Sequence, residues 1–279
     1  MNEGITEVLL PTYQPLSEYQ VRTIHEHALD LLENTGIAVQ HKGALESLAD
    51  SGARVDFANQ RAFFSTELVE QALQDIPKEF VCAGREPDFD FKVAFDAPPV
   101  CRCTGGAVNL MDFATNQNHP VTLADCRDIA HIIDGLENTA FAATQTPCDA
   151  LLPVYDIQAL RSMLESGRKH IWALVSSSEN LKYQLEMMLA VCGSEADLAE
   201  RPICHGIVTV LEQFRYPHDE IERLLLYGRY KIPVKVPIVP MMGANAPTTI
   251  VGTMVQANAE AVASAVLINY LCPGTPTWY

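Results

Sequence analysis

Phe141-Ala-Ala-Thr144, Ile171-Trp-Ala-Leu-Val175, Ile203-Cys-His-Gly-Ile-Val-Thr-Val210 and Ile232-Pro-Val-Lys-Val-Pro-Ile-Val239 are the stretches that decide the fold. Each is apolar almost throughout and lacks the polar alternation of a half-solvated strand, as expected for strands buried on both faces. Between them lie helical patterns near Val154–Gly167, Glu179–Val191 and Pro217–Tyr227, and Thr275–Tyr279 begins a fifth run. Counted from Ala140, Ile171, Ile203, Ile232 and Thr275, the runs start 31, 32, 29 and 43 residues apart. The first three intervals match a βαβ unit of about 30 residues, so the reading is a parallel sheet with helices on its faces. No Gly-x-Gly-x-x-Gly or Gly-Lys-Ser/Thr follows any of the runs, which removes dinucleotide and P-loop readings.

Outward from this core, a helix at Leu123 to about Leu136 leads in, and Thr249–Leu271 leads out. From Ile250 to Leu271 the only formal charge is Glu260. A membrane span fits by length, but Gln256, Asn258, Glu260, Ser264 and Asn269 would then lie in lipid without partners. A helix buried between a barrel and a neighbouring subunit is the expectation. Four βα units and one bare strand are fewer than the eight units of a closed (β/α)₈ barrel, which takes about 250 residues. The pattern alone allows an open five-stranded sheet or the front part of a larger barrel. In either case an uncovered edge strand invites pairing with another chain, so a homo-oligomer is expected.

Residues 1–122 read as a small α+β lobe, and 123–279 as the partial barrel. In the lobe, Ser17 and Gln20 form a capping-box start, and Val21, Ile24, Ala28, Leu31 and Thr35 mark one helical face ended by Gly36. Short strands are expected at Ile37–Gln40, Ala62–Ser65 and Phe80–Ala83, with a helix around Thr66–Gln74. Val100–Cys103 and Val108–Phe113 flank Gly105-Gly106 like strands around a tight bend.

Composition narrows the function. The 279 residues hold 19 Lys+Arg against 35 Asp+Glu, a formal charge of −16, and no basic cluster that would bind nucleic acid or an anionic membrane. Eight cysteines without a signal sequence read as reduced thiols of a cytoplasmic protein; Cys101, Cys103, Cys126, Cys192 and Cys272 are expected in the core. No HExxH or paired-ligand spacing marks a resident metal.

The segment Pro240-Met-Met-Gly-Ala-Asn-Ala-Pro-Thr-Thr-Ile-Val-Gly-Thr-Met-Val-Gln-Ala-Asn-Ala-Glu260 resembles the trimethylamine methyltransferase superfamily, as does Pro273-Gly-Thr-Pro-Thr-Trp-Tyr279. His25-Glu-His-Ala-Leu-Asp-Leu-Leu-Glu-Asn-Thr-Gly36, the Gly105-Gly106, Asn109 and Asp112 block, Pro120-Val-Thr-Leu-Ala-Asp125 and Arg168-Lys-His170 agree with it. The resemblance implies a TIM barrel with an N-terminal extension, here lacking its last strands. It also implies transfer of a methyl group from a small methylated amine to the cobalt of a cognate corrinoid protein. The cobalamin is carried by that partner, and the chain itself binds no cofactor. The non-pyrrolysine branch, acting on quaternary amines such as a betaine, is the branch expected. The competing expectation is a truncated, non-catalytic fragment serving in assembly or interaction.

Such chemistry needs no acid on the protein, because the leaving group is a neutral amine. It needs orientation, aromatic faces and nearby carboxylates. At the C-terminal strand ends the candidates are Gln145, Asp149, Glu212, Gly243, Asn245 and Tyr279, with no catalytic residue assignable. Each has a plainer alternative. Asp149 could cap the next helix, Glu212 could be a solvated charge, and Gly243 and Asn245 could only shape a turn. Tyr279 is expected to face inward with Trp278 on the opposite face, and core packing is its alternative role. Gly105-Gly106 could be a lid or hairpin geometry. Asn245 and the helix start at Thr248-Thr249 form the expected anchor for a betaine carboxylate.

Overall fold

The computed structural model describes residues 14–210 and 213–278. The N-terminal part runs α1 (Glu18–Asn34), β1 (Ile37–Val39), α2 (Lys42–Asp50), β2 (Arg54–Asp56), β3 (Arg61–Phe63) and α3 (Thr66–Asp75). It continues with the hairpin β4 (Glu79–Cys82) and β5 (Phe91–Ala94), the short β6 (Cys101–Arg102), and the hairpin β7 (Asn109–Asp112) and β8 (Gln117–Pro120). Then follow α4 (Leu123–Gly135), β9 (Thr139–Ala143), α5 (Tyr155–Ser166), β10 (His170–Trp172), α6 (Ser178–Cys192), α7 (Glu195–Glu200) and β11 (Cys204–Ile207). The chain finishes with β12 (Arg215–Tyr216), α8 (His218–Arg229), β13 (Val234–Lys235), α9 (Ile250–Leu271) and β14 (Thr277–Trp278).

The main sheet has six parallel strands in the order β14-β13-β11-β10-β9-β6, part of a TIM-type barrel. Five come from the repeating stretches. The sixth, Cys101–Arg102, pairs in parallel with β9, so the first βα unit straddles residues 122 and 123. The hairpin expected around Gly105-Gly106 does not form. Asn109–Asp112 pairs instead with Gln117–Pro120, across a turn that Asp112 closes by accepting from Thr115 N at 2.7 Å and that Asn116 completes at φ 56°. This local turn forms without help, while Cys101–Arg102 is left to satisfy the free edge of β9. Cys101 is accordingly exposed at the sheet edge, and Cys103 and Cys192 are half-buried, so of the five expected core thiols only Cys126 and Cys272 are buried.

Alternation divides the sheet's side chains. Ala142, Ile171, Cys204 and Val234 point outward into the layer of helices and are nearly or fully buried. Gly206 shares that outward face, and a Cβ there would lie 2.0 Å from the Tyr227 ring of α8. Glycine is what lets a large aromatic residue lie flat on the strand.

α9 is the one described helix long and apolar enough to cross a membrane. It is a core helix: Ala259 to Asn269 are all buried, packed by α1, α2, α3 and α8. The cover expected from a neighbouring subunit is thus supplied by the chain's own N-terminal helices. Thr249 caps its start, accepting from Gly252 N at 3.2 Å. Glu260 accepts from Gln256 at 2.9 Å, and burial pushes its carboxyl up from the usual range.

The two parts are joined twice. β12 leaves the β11–α8 connection to pair in parallel with β1, so the lobe's sheet reads β12-β1-β3-β2. Tyr216 of β12 is 1% exposed, and its hydroxyl lies 2.6 Å from Ser264 of α9. The β4–β5 hairpin plugs the N-terminal end of the half-barrel. Phe91 stacks on Phe141, Phe80 stacks on Trp278, and Arg201 holds Asp90 through two bonds of 2.6 and 2.9 Å. Behind the plug, His170 donates from Nδ1 to the Ala83 carbonyl at 2.9 Å, because a carbonyl can only accept. Its Nε2 therefore accepts from His205 Nδ1, also at 2.9 Å, and the tautomers of both rings follow. Both residues are fully buried, and burial lowers His170 to about 4 and holds His205 well below its usual value.

Two outcomes are expected. Gly206→Ala should lower the urea-unfolding free energy by about 1–3 kcal/mol, and combining it with Tyr227→Leu should recover part of that loss. The histidines are neutral when folded, so their contribution is complete above pH 6.5 and is lost as the pH falls toward 4. Between pH 6.5 and 5 each should cost about 2 kcal/mol of stability, and His205→Gln should remove roughly half of that acid-side slope.

Candidate functional site

Catalytic groups of TIM-type barrels sit at the C-terminal strand ends, facing inward. Here those positions are Arg102 of β6, Trp172 of β10, Ile207 of β11 and Lys235 of β13, with Trp278 of β14 on the same inward face. Register places Trp172 opposite His205 and Lys235 opposite Trp278. The Trp278 ring lies 4.7 Å from the His205 ring, and the Trp172 ring lies nearly parallel to His205 at 6.2 Å. Trp278 thus takes the inward position that alternation had been expected to give to the next residue.

Two cations approach the Trp172 indole from opposite directions along the sheet. The Arg102 guanidinium carbon is 4.7 Å from the ring centre and the Lys235 ammonium 5.3 Å. Burial and the Arg102 charge lower the Lys235 pKa from its usual value. The buried Trp172 indole N–H has no acceptor, and His205 Nε2, left as a lone pair by the histidine relay, has no donor.

The residues singled out by sequence are placed around this floor. Gln145 is 2% exposed, and its amide is fully committed. Oε1 accepts from Ala107 N at 2.9 Å, while Nε2 donates to Thr104 O and Ala143 O, both at 2.8 Å. It clamps the Gly105-Gly106 loop over the end of β9, where a Cβ on Gly105 would meet Ala143 at 2.9 Å and Trp172 at 3.1 Å. The loop therefore lies against the mouth, as a lid would. Asp149 accepts from Leu123 N at 2.8 Å and caps α4, the helix before its strand rather than the one after it. Gly243 has φ 80° in the tight turn after β13. Asn245 turns back on that same turn, accepting from Met241 N and donating weakly to Val239 O at 3.4 Å, and Thr249 already caps α9. Asn245 and the helix start are thus engaged locally. Glu212 and Tyr279 lie outside the described residues.

Carboxylates at the mouth follow the Asp149 pattern. Asp156 accepts from Ser176 N at 2.7 Å and from Asn180 at 2.8 Å. Asp219 accepts from Ser178 N at 2.9 Å, and Glu220 accepts from Thr209 N at 3.0 Å. Each acid at a helix start fastens a neighbouring βα loop, so these charges lace the rim together. Sequence reasoning missed Arg102 because its strand is two residues long, and missed Lys235 because the run around it reads as uniformly apolar. The available signal was a lysine inside a buried strand, a position where lysine is rarely found without a partner.

One further cluster joins His41, His218 and Glu222, whose ligating atoms lie within 4.8 Å of one another. His41 Nδ1 accepts from Ala44 N at 3.0 Å, which places the proton on Nε2, and Nε2 donates to Glu222 at 2.9 Å. That tautomer caps α2 and leaves His41 without a lone pair for a metal.

With this geometry in place, comparison with known proteins is direct. The Trimethylamine methyltransferase (MTTB) family profile matches residues 3–279. Trimethylamine methyltransferase MttB of Desulfitobacterium hafniense is 28% identical over 264 residues, 94% of this chain and 53% of the relative. The Glycine betaine methyltransferase of Desulfitobacterium hafniense is 25% identical over 273 residues, 97% of this chain and 56% of the relative. The solved monomethylamine methyltransferase of Methanosarcina barkeri aligns with a TM-score of 0.58 at 12% identity, covering 90% of this chain and 51% of that one, which establishes shared fold alone. The chain spans about half the length of the curated relatives it matches. The match across nearly every residue makes this chain a member of the trimethylamine methyltransferase family.

Proposed function

We propose that the protein to which this chain belongs is a cytoplasmic methyltransferase that removes a methyl group from a quaternary methylated amine, such as a betaine, and delivers it to a corrinoid protein. The observation that carries the reading is the family match over residues 3–279. The cobalt of the partner's corrinoid would supply the nucleophile. The contribution of this chain is to hold the amine still and expose one methyl group along a defined line, which lowers the barrier by orientation.

A quaternary ammonium has no N–H to donate, so its recognition depends on aromatic faces. Trp278 supports that role: it lies on the inward face of the sheet, in register with Lys235, and is only partly buried. Phe80 stacks on its indole at 5.3 Å, and the His205 ring lies 4.7 Å away at a tilt. Trp172 is less suited to the ammonium, because Arg102 and Lys235 already lie over it.

The test combines the full-length protein with a reduced corrinoid protein and a panel of glycine betaine, tetramethylammonium and trimethylamine, reading methylation by the corrinoid's absorption change. Turnover is expected with a quaternary amine. Trp278→Ala should reduce kcat/KM by about ten- to thirtyfold, the size of a partly desolvated cation–π contact. No turnover with any methylated amine would favour a non-catalytic assembly role.

A further inference from the structure

The floor of the half-barrel mouth carries a charge of the wrong sign for a purely cationic substrate. Arg102 and Lys235 lie within 4.7 and 5.3 Å of one indole, from strands on either side of it. Among the described residues neither takes part in an ion pair, although the chain carries 35 acidic residues. The one hydrogen bond Arg102 makes with its side chain is to the neighbouring Cys103 carbonyl, at 2.7 Å. The mouth acids are engaged on backbone N–H groups elsewhere on the rim. The N–H of that indole is buried with no acceptor. Arg102 is exposed and Lys235 partly buried, so both stay free to meet a bound group, and with the buried indole donor they place two cations and an unpaired N–H around a single ring, a set of partners suited to an anion.

Among the described residues, nothing nearby supplies that anion. Asn245 and the α9 start, the anchor expected from sequence for a carboxylate, are closed by their own hydrogen bonds. The partly buried Trp278 stands beside Lys235 in register, so an aromatic ring and a cation lie side by side on the inner face of the sheet. An amine with a methylated ammonium at one end and a carboxylate at the other matches that pair of environments. On the functional reading above, we propose that Arg102 and Lys235 bind the carboxylate of a zwitterionic methylated amine, making them the residues that select a betaine over a carboxylate-free amine. His205 presents a neutral lone pair below the indole, which repels an anion and keeps it toward the two cations.

Binding alone tests this, without the corrinoid partner. Isothermal titration of the full-length protein would use glycine betaine, choline, which has a hydroxyl in place of the carboxylate, and tetramethylammonium. Glycine betaine should bind at least tenfold more tightly than either. Arg102→Gln and Lys235→Met should each weaken glycine betaine ten- to a hundredfold while leaving tetramethylammonium within threefold, and Arg102→Lys should restore part of the loss. Thermal melts of the same variants should stay within a few degrees of the parent. Equal losses for all three compounds, unchanged betaine binding in both variants, or a large fall in melting temperature showing that the cations pair with another part of the protein would overturn the proposal and leave the functional reading standing. If no methylated amine binds and none is turned over, the functional reading falls, and this proposal falls with it.

Discussion

A parallel sheet survives only where water is kept off both of its faces, and most of this architecture follows from that requirement. The outer face is covered in the usual way, by helices whose apolar stripes meet Ala142, Ile171, Cys204 and Val234. The inner face has no second sheet to meet. It is covered from below by the β4–β5 hairpin, whose Phe80 and Phe91 lie on Trp278 and Phe141. Where polar groups enter that dry layer they are paired in series, from the Ala83 carbonyl through His170 to His205. The N-terminal lobe is thus both floor and outer cover of the half-barrel, since its helices also bury α9.

The same requirement explains the unusual α9. A helix apolar on every side needs neighbours on every side, and it has them in α1, α2, α3 and α8. Three of its buried polar residues are satisfied within a small group: Gln256 with Glu260 and the Asn245 carbonyl, and Ser264 with Tyr216 and the Glu260 carbonyl. That group also fixes the connection carrying β12, so one helix organises the lobe, the barrel and the loop between them.

The strand spacing made the parallel sheet legible before any coordinates, because apolar runs 29 to 32 residues apart have few other solutions. The capping box at Ser17 and the helix starting at Thr66 were equally local and equally readable. What escaped was whatever depended on distant partners. Cys101–Arg102 is a strand only because β9 offers an edge, and β12 is one only because β1 does. At the mouth, the sequence drew attention to Gln145, Asp149 and Asn245 as polar groups near strand ends. It could not show that their hydrogen bonds close on backbone, and it passed over Arg102 and Lys235, whose meaning lies in a shared neighbour.

The pairing of β1 with β12 sets a timetable for synthesis on the ribosome. Ala38 is translated 177 residues before its partner Arg215. At roughly 5–20 residues per second that is an interval of about 10–35 s. β3 can cover one edge of β1 almost at once, but the other edge, flanked by the apolar Ile37 and Val39, waits for most of the chain to emerge. During that interval the nascent lobe carries an unfilled strand position, the kind of surface that holdase chaperones cover and that neighbouring nascent chains on a polysome can invade.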